Sequence, residues 1–451
     1  MSGFTETNIR YAVSLALAGL TVFLGYSVER TQFVPLLTAY AMFFGIYAWI
    51  VFTLKNKPDA ALRWYAGLGI ALRVLLLFGI PNLSDDFLRF LWDGRLTAAG
   101  IHPFEHPPDY FFRNNIYPEG ITPGLFSRLN SPEYYTVYPP VCQAVFALAA
   151  WISPVSEWGG VVVMKLFLLL CELGTMSLLL QGRSSQKRRP AAPLLFYALN
   201  PLIIVEIMGN CHFEGAMIFF LLAGIRALER QKVKHAALWW ALATASKLLP
   251  LMFLPVVLRR LGRRKGLVFL AVFTTVCLLL FAPLLPVLPN IFSSLDLYFR
   301  QFQFNASIYY MIDAIGFRIK GYDTGETLGP VLGLITIAFV LVVAWKVQPG
   351  TRKAGAGEGL IWTDALLFAV VLQMTFSATV HPWYATVPFA LSLFTRWRFP
   401  LAWTGLVALS YSHYAGGAFR ENYWLIALEY GVLWYLMYRE MAKKDGSSSV
   451  S

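Results

Sequence analysis

Apolar segments of about 20 residues recur along the whole chain and are separated by short polar stretches. Such a segment is long enough to cross the hydrocarbon core of a bilayer as a helix. The pattern therefore predicts an all-α polytopic membrane protein with about 12 spanning helices. The predicted spans begin near Ile9, Phe33, Ala60, Gly160, Pro190, Cys211, Gly266, Leu328, Leu360, Trp383, Pro400 and Tyr423.

Two further apolar runs, 138–152 and 236–258, do not fit an alternating topology. The N-terminal end of the first run must lie outside, yet the N-terminal end of the run after it must also lie outside, so the first run cannot be a simple span. The second has basic loops at both ends and contains Lys247 and Pro250. Each is a candidate re-entrant helix, with a misplaced span boundary as the alternative. Irregular backbone at membrane depth is tolerated where it lines a cavity or is buried in protein, so both runs are candidate cavity walls.

Basic residues gather in the short loops between apolar runs and set the predicted orientation, because cytoplasmic loops of membrane proteins carry the excess of Lys and Arg. Both termini are then cytoplasmic, and the long loops 81–137 and 285–326 lie outside. We expect one integral membrane domain over 1–451, with 81–137 as its catalytic loop. The basic loops contain Lys55, Lys57, Arg63, Arg183, Lys187, Arg188, Arg189, Arg230, Lys232, Lys234, Arg259, Arg260, Arg263, Arg264, Lys265, Lys346, Arg352, Lys353, Arg396, Arg398, Arg439, Lys443 and Lys444.

Composition narrows the function classes. Hydrophobic residues make up 57% of the chain and charged residues 14%, which is too little charged surface for a water-soluble protein of this length. The net charge of +12 follows from the basic loops, so we predict no nucleic-acid partner. The four cysteines have neither metal nor disulfide spacing. No cofactor is expected, and a divalent metal is left open.

The first long outer loop begins with an unusual cluster of charge, Ser84-Asp85-Asp86-Phe87-Leu88-Arg89-Phe90-Leu91-Trp92-Asp93-Gly94. Ionisable groups beside hydrocarbon are costly and mark a functional site by default. Ser84 is a suitable helix cap, with Asp85 and Asp86 in the first turn. Asp86, Arg89 and Asp93 recur at helical spacing and share one face. With the aromatic residues between them, the pattern predicts an interfacial helix, either structural or part of a site.

This run and five shorter ones resemble bacterial mannosyltransferases of the GT-C glycosyltransferase superfamily, whose pattern is approximately S-D-x-x-R-Y-x-W-D-G followed by A-G-x-N-P-Y. The first mannosyltransferase of glycosylphosphatidylinositol synthesis is a more distant relative. The sequence departs from the pattern at His102, Phe90, Phe104 and Glu214, where Asn, Tyr, Tyr and Asp are usual. The further matching runs are Ala99-Gly100-Ile101-His102-Pro103-Phe104, Tyr138-Pro139-Pro140, Asn200-Pro201-Leu202 with Glu206 to Glu214, Lys247-Leu248-Leu249-Pro250 and His381-Pro382-Trp383-Tyr384.

The resemblance implies a GT-C fold, a bacterial inner-membrane location and transfer of mannose, with inversion, from a polyprenyl phosphate carrier to a glycan or glycolipid on the outer face. Membrane lipid is the surrounding partner. Asp85 is the expected general base, with Asp86 as the fallback. The remaining implied substrate-binding residues are Asp93, Arg89, Arg95, His102, Tyr138, His212, Glu214, Lys247, His381, Trp383 and Tyr384.

Two alternatives stay open. In the first alternative, the enzyme transfers glucose or arabinose instead of mannose from the same carrier. In the second, the chain is a flippase or transporter of lipid-linked sugars. A transporter should distribute acids through several helices, whereas the polar groups here gather on one predicted face: five of the six histidines fall there.

Overall fold

The structure is a computed structural model that describes residues 6–54, 59–181, 191–322, 325–348, 360–417 and 419–447. It divides into two compact units. The first contains Met1–Thr136, Cys142–Phe219 and Tyr414–Ala418, and the second contains Val137–Val141, Phe220–His413 and Phe419–Ser451. Some of the basic residues used to predict orientation lie outside the described residues: Lys55, Lys57, Arg183, Lys187, Arg188, Arg189, Arg352 and Lys353.

Helices account for the regular structure of the described residues, which contain no strand beyond two isolated bridges. The all-α prediction is therefore confirmed. Segments of 3₁₀ or π helix cover Ile203–Gly209 (π), Leu249–Phe253, Ala282–Val287, Pro382–Ala385 and Val407–Gly417. The α-helices are α1 (Glu6–Tyr26), α2 (Phe33–Leu54), α3 (Asp59–Leu76), α4 (Asp86–Ala98), α5 (Pro108–Arg113), α6 (Pro123–Phe126), α7 (Pro140–Ile152), α8 (Glu157–Gln181), α9 (Ala191–Ala198), α10 (Glu214–Glu229), α11 (Val233–Ser246), α12 (Leu254–Phe281), α13 (Leu288–Gln301), α14 (Ile308–Lys320), α15 (Gly325–Trp345), α16 (Trp362–Phe376), α17 (Thr386–Ser392), α18 (Phe399–Leu406) and α19 (Tyr423–Ser447).

Several helices are apolar and long enough to cross a membrane, as in a polytopic membrane protein. Within the described residues there are five, or six if a pair bent by 115° counts as one broken span. The count of twelve stays a prediction. Other predicted spans are interrupted, because proline removes a backbone donor: α9 ends before Asn200-Pro201. The long helical segments are Thr7–Tyr26, Phe33–Thr53, Glu157–Gln181, Leu249–Ser294 and Thr327–Trp345.

The predicted basic loop at 259–265 falls at a break between two helical pieces, and its cytoplasmic position stays a prediction. These residues belong to α12, which is broken only at Gly262, where φ is 70° and ψ 178°. Glycine adopts this conformation without the steric cost that a Cβ imposes. Arginine and lysine are good helix formers, so a basic stretch does not by itself end a helix.

Helix α4 begins at Asp86, one residue later than a Ser84 cap predicts, and it has no exposed face between Phe87 and Leu96. Every residue from Phe87 to Leu96 is buried, so protein encloses the helix on all sides. Ser84 is not the cap: Asp85 occupies the N-cap position, and the Ser84 hydroxyl accepts from the Asp86 amide at 3.3 Å. The charged side chains of the helix between Phe87 and Leu96 are buried as well, and Arg89 pairs with Asp93 within the helix at 2.8 Å.

Two glycines fit α4 into its surroundings. Gly100 ends the helix with a φ of +77°, and the Ile101 amide donates to the Leu96 carbonyl at 2.9 Å, as in a Schellman motif. Gly94 instead lies inside the helix, where a Cβ would approach the Phe146 carbonyl oxygen of α7 to 2.2 Å. The absence of a side chain at Gly94 therefore allows α4 and α7 to pack closely.

The two candidate re-entrant runs both contain short helices. Helix α7 has 13 residues, or about 20 Å of rise, which is too short for a span. In the other run, α11 ends at Ser246, Lys247 is extended, and the chain continues through a 3₁₀ turn into α12. The Trp240 indole donates to the Pro250 carbonyl across this break at 3.0 Å.

A buried ion pair connects three helices of the first unit. Arg73 of α3 contacts Glu172 of α8 at 2.8 Å, and neither side chain is exposed. The Tyr197 hydroxyl of α9 donates to the same carboxylate, and Arg73 donates to the Ala198 carbonyl at 2.6 Å. Since a lone buried charge is very costly, this network holds the three helices in one arrangement.

Candidate active site

The carboxylate of Asp85 is held from two directions at the start of α4. Its Oδ2 contacts Nη2 of Arg30 at 2.8 Å, and its Oδ1 accepts from Nδ2 of Asn130 at 2.9 Å. The side chain remains 24% exposed. A carboxylate with one fixed partner on each oxygen still has a lone pair on each for a further donor. Asp85 is therefore oriented and accessible.

Arg30 reaches Asp85 from the turn between α1 and α2. Asn82 donates to the carbonyls of Leu24 and Val28, which fixes the chain before α4 against the end of α1. Burial alone would lower the pKa of Arg30, but the hydrogen bond and charge of Asp85 outweigh it and raise the pKa. The guanidinium therefore stays charged beside the carboxylate.

Tyr414 is distant from Arg30 in the sequence but lies next to its side chain. The Arg30 guanidinium lies 4.9 Å from the centre of the Tyr414 ring, within the range of a cation–π contact. Burial raises the pKa of the Tyr414 hydroxyl, and the nearby charges of Asp85, Asp86 and Glu206 add to that rise against the opposing effect of Arg30. The hydroxyl is therefore neutral in the physiological range.

A sharp turn lies behind the loop that leads into α4. The π segment Ile203–Gly209 and α10 meet at 115°, and a buried Asn210 at the vertex accepts from the Leu83 amide at 3.2 Å. Nδ2 of Asn210 donates to Glu206 at 3.1 Å, and Nε2 of His212 lies 3.4 Å from the same carboxylate. π-Helical turns occur often at functional sites. Predicted site residues His212 and Glu214 are both buried at this turn.

Asp93 lies one helical turn beyond Arg89. Its carboxylate is fully buried and accepts hydrogen bonds from three donors. Its Oδ1 accepts from Nε of Arg89 at 2.8 Å, and its Oδ2 accepts from Thr136 and from Nε2 of Gln143, the latter at 2.9 Å. The predicted Arg89–Asp93 pair is thus present. Asp93 orients Arg89, and its complete burial among three donors leaves it poorly placed to take a proton.

The guanidinium of Arg89 is only partly used by these contacts. Nη1 donates to the Tyr134 carbonyl at 2.9 Å. Nη2 is buried and has no hydrogen-bond partner among the residues that the structure describes. An unsatisfied buried charged donor is expensive, so a polar or anionic ligand would be stabilised there.

Arg95 and His102 make hydrogen bonds with backbone groups of the loops that follow α4. Arg95 donates to the carbonyls of Gly120 at 2.8 Å and Val155 at 3.0 Å, and burial lowers its pKa. Nδ1 of His102 accepts from the Phe104 amide at 3.3 Å, in the turn after α4. Both positions are explained by loop structure, and their substrate-binding role stays a prediction.

The other predicted site residues belong to the second unit. Nζ of Lys247 lies 5.8 Å from the centre of the Tyr138 ring, so these two matches to the family pattern meet in space. The His381 ring stacks on Trp383 at 4.4 Å and meets Tyr384 edge-on at 5.4 Å. The first grouping joins two motifs that were predicted separately, whereas His381, Trp383 and Tyr384 belong to one predicted motif.

A polar cluster in the second unit surrounds Glu421. Its carboxylate accepts from the Asn305 amide at 3.0 Å and the Tyr310 hydroxyl at 2.8 Å, and it lies 3.2 Å from Nδ1 of His413. Burial alone would raise the pKa of Glu421, but these bonds outweigh it and lower the pKa. Asn305, part of a glycosylation sequon, is fully buried and so inaccessible to modification.

Comparison with known proteins identifies the relationship. Residues 7–263, more than half of the chain, match the family described as alpha-(1→6)-mannopyranosyltransferase, N-terminal domain. The chain belongs to this family. The match includes all of α4 and Lys247 but not His381, Trp383 or Tyr384. Membership confirms the predicted relationship to GT-C mannosyltransferases, as a distant one.

Two relatives from this family are similar over limited regions. Alpha-(1→6)-mannopyranosyltransferase A of Mycobacterium tuberculosis is 26% identical over 199 residues, 42% of this chain and 36% of that protein. Alpha-(1→6)-mannopyranosyltransferase B of Corynebacterium glutamicum is 25% identical over 153 residues, 33% of this chain and 24% of that protein. The chain therefore aligns with little more than a third of the curated relatives it matches.

Sequence reasoning missed Arg30, Asn130 and Tyr414 beside the family's loop aspartate. Arg30 had one usable signal: it is a basic residue in a turn predicted to lie outside, against the positive-inside trend. Asn130 and Tyr414 lie far from Asp85 in sequence and carry no pattern of their own. Among the described residues, no group of three or more His, Cys, Asp or Glu side chains could hold a metal ion.

Proposed function

We propose that this protein is an inverting mannosyltransferase that takes its sugar from a polyprenyl phosphate carrier and transfers it to a glycan or glycolipid on the outer face of the membrane. Family membership and the relatives' names support mannosyl transfer. The carrier is favoured because the sequence has no Gly-rich phosphate loop or separate nucleotide-binding region, and because a lipid-linked donor suits a site among apolar helices.

The proposal depends mainly on one observation. An accessible acid and a preorganised cation lie close together along the same buried helix. Asp85 offers an oriented carboxylate at the N-terminus of α4. Arg89, four residues later, presents a buried Nη2 without a partner among the described residues. These are the two groups that displacement of a phosphate by a hydroxyl requires: a proton acceptor and a donor for the developing charge.

In the proposed step, the acceptor hydroxyl oxygen attacks the anomeric carbon as the bond from that carbon to the phosphate oxygen breaks. The hydroxyl proton passes to the Asp85 carboxylate, and the electron pair of the broken bond leaves with the polyprenyl phosphate. Arg89 stabilises that leaving oxygen through Nη2. Attack opposite the leaving group inverts the configuration at the anomeric carbon.

Product analysis with purified protein tests this function. Incubation with polyprenyl-phosphate-mannose and a panel of mannose-terminated glycolipids should release free polyprenyl phosphate and yield a product one mannose longer. GDP-mannose without the lipid carrier should give no product. Transfer of glucose or arabinose in preference to mannose would correct the sugar. Movement of the intact donor across vesicles, without release of polyprenyl phosphate, would instead identify a transporter.

A further inference from the structure

We infer that Arg30 is a positioning residue of this site: it fixes the carboxylate of Asp85 in the orientation from which that group acts. The inference rests on the proposed function, in which Asp85 accepts the proton. Arg30 lies in the turn between α1 and α2, away from the loop that carries the acids, and it belongs to none of the motifs matched to the family.

The geometry around Asp85 carries the inference. Asp85 is the N-cap residue of α4, but its side chain makes no capping hydrogen bond to the helix. Its two oxygens are instead held from outside the helix, by Arg30 at 2.8 Å and by Asn130 at 2.9 Å. Of these two partners Arg30 is the charged one and the less exposed, so it supplies the stronger constraint.

Arg30 is itself fixed, which a positioning residue must be. Its guanidinium lies over the Tyr414 ring, and the Gly416 amide donates to the carbonyl of the neighbouring Thr31 at 3.1 Å. On the other side, Asn82 ties the segment before Asp85 to the end of α1. The arginine and the aspartate are therefore attached to the same local framework from both ends.

Direct binding of the leaving phosphate is a poorer assignment for Arg30. Its Nη2 is engaged by Asp85, so a phosphate would meet only the remaining guanidinium nitrogens and would compete with the carboxylate for the same charge. A loss of orientation lowers turnover without weakening donor binding, because misplacement of about 1 Å can cost about 100-fold in rate. A lost phosphate ligand would weaken donor binding as well.

Three variants test the assignment: Arg30→Met, Arg30→Lys and, as a matched control, Arg113→Met. Arg113 makes a similar pair with Asp109 at 2.7 Å in the loop 81–137, but its side chain is 75% exposed and its partner has no part in the proposed step. We expect Arg30→Met to lower kcat by about 10- to 100-fold with KM for the donor nearly unchanged. Arg30→Lys should recover part of that loss, and Arg113→Met should behave as wild type.

A double-mutant cycle of Arg30→Met and Asp85→Asn measures the coupling between these two residues from thermal stability, so it does not require an active enzyme. If Arg30 holds Asp85, the loss of Tm in the double variant should be smaller than the sum of the two single losses. Additive losses, or Arg30→Met with normal kcat, would overturn the inference, as would a loss seen only in donor KM. Wild-type protein that releases no polyprenyl phosphate would overturn the proposed function, while the cycle would still decide whether Arg30 holds Asp85.

Discussion

The two Arg–Asp pairs of α4 have the same 2.8 Å separation and opposite surroundings. Asp85 and Arg30 are each 24% exposed, whereas Asp93 is completely buried and Arg89 nearly so. Asp85 has one partner on each oxygen, but Asp93 has three donors in all. The comparison teaches that neither the residue type nor the presence of an ion pair is enough to assign a role to an aspartate. Accessibility and unused hydrogen-bonding capacity favour Asp85 over Asp93 as the proposed proton acceptor.

The largest effect should come from Asp85→Asn, which nearly preserves shape and removes the basic oxygen. We expect kcat to fall by about two to four orders of magnitude, the usual range for a general base. Donor binding should stay close to wild type, since Arg89 is untouched. Single-turnover transfer and donor affinity, measured on well-folded purified protein, check both statements.

Asp86→Asn is the natural control, because it alters the adjacent acid in the first turn of the same helix. Loss of a carboxylate there costs about 0.3–1 kcal/mol of helix stability by itself, so unfolding must be monitored in parallel. Normal turnover in Asp85→Asn beside an inactive Asp86→Asn would move the base by one residue. Normal turnover in both would remove the start of α4 from the chemistry.

The next effect should come from Arg89→Lys. Lysine keeps a positive charge near Asp93 but loses the forked geometry that presents Nη2. We expect transition-state stabilisation to fall by about 2–4 kcal/mol, by analogy with loss of an oxyanion-hole donor. A steeper dependence of rate on the acidity of the leaving group would show that the missing donor acts there. Unchanged kcat would place the phosphate ligand elsewhere.

Asp93→Asn should affect stability more than turnover. Its amide nitrogen would face the donors that now satisfy the carboxylate, and Arg89 would lose its counter-charge in a buried place. Breaking a buried ion pair from one side costs about 3–5 kcal/mol, so Tm should fall clearly. We expect weaker donor binding and only a moderate loss of kcat in the folded fraction. If the Asp93→Asn variant were fully stable but had no turnover, Asp93 would replace Asp85 as the candidate base.

The smallest effect on turnover should come from Arg95→Met. Arg95 donates to two loop carbonyls that stay partly exposed to solvent, so losing these bonds should cost about 0.5–1.5 kcal/mol of stability each. Turnover per folded molecule should stay near wild type, as measured by activity against the amount of monodisperse protein. A collapse of kcat at normal stability would return Arg95 to the substrate site, where the family resemblance had placed it.

Local spacing predicted the parts of this site that depend on one helix. The presence of a helix here and the Arg89–Asp93 pair follow from helical periodicity, which brings residues four apart together, although the start was predicted one residue early. The partners of Asp85 could not be predicted in this way: Arg30 lies 55 residues before it and Asn130 45 residues after it. Periodicity also predicted an exposed face for α4, because it has no information about which neighbouring segments cover a helix.

The span count shows the same limit at the level of the fold. Hydropathy marks apolar segments correctly, but it does not distinguish a straight span from short helices that meet at a break. The run predicted to start near Cys211 follows a 115° bend, and the one near Trp383 is divided into a 3₁₀ turn and the short α17. Proline and buried polar residues at those breaks are the physical reason.

The buried pair of Arg73 and Glu172 has a consequence for biogenesis. The two residues are 99 positions apart, so the ribosome makes the arginine about 5–20 s before its partner acid, at about 5–20 residues per second. During that interval α3 carries an uncompensated cation, which an apolar environment rejects. The ion pair that joins α3 to α8 therefore forms only after α8 has been made. Replacing Glu172 would leave Arg73 without its counter-charge throughout biogenesis, so less folded protein should accumulate.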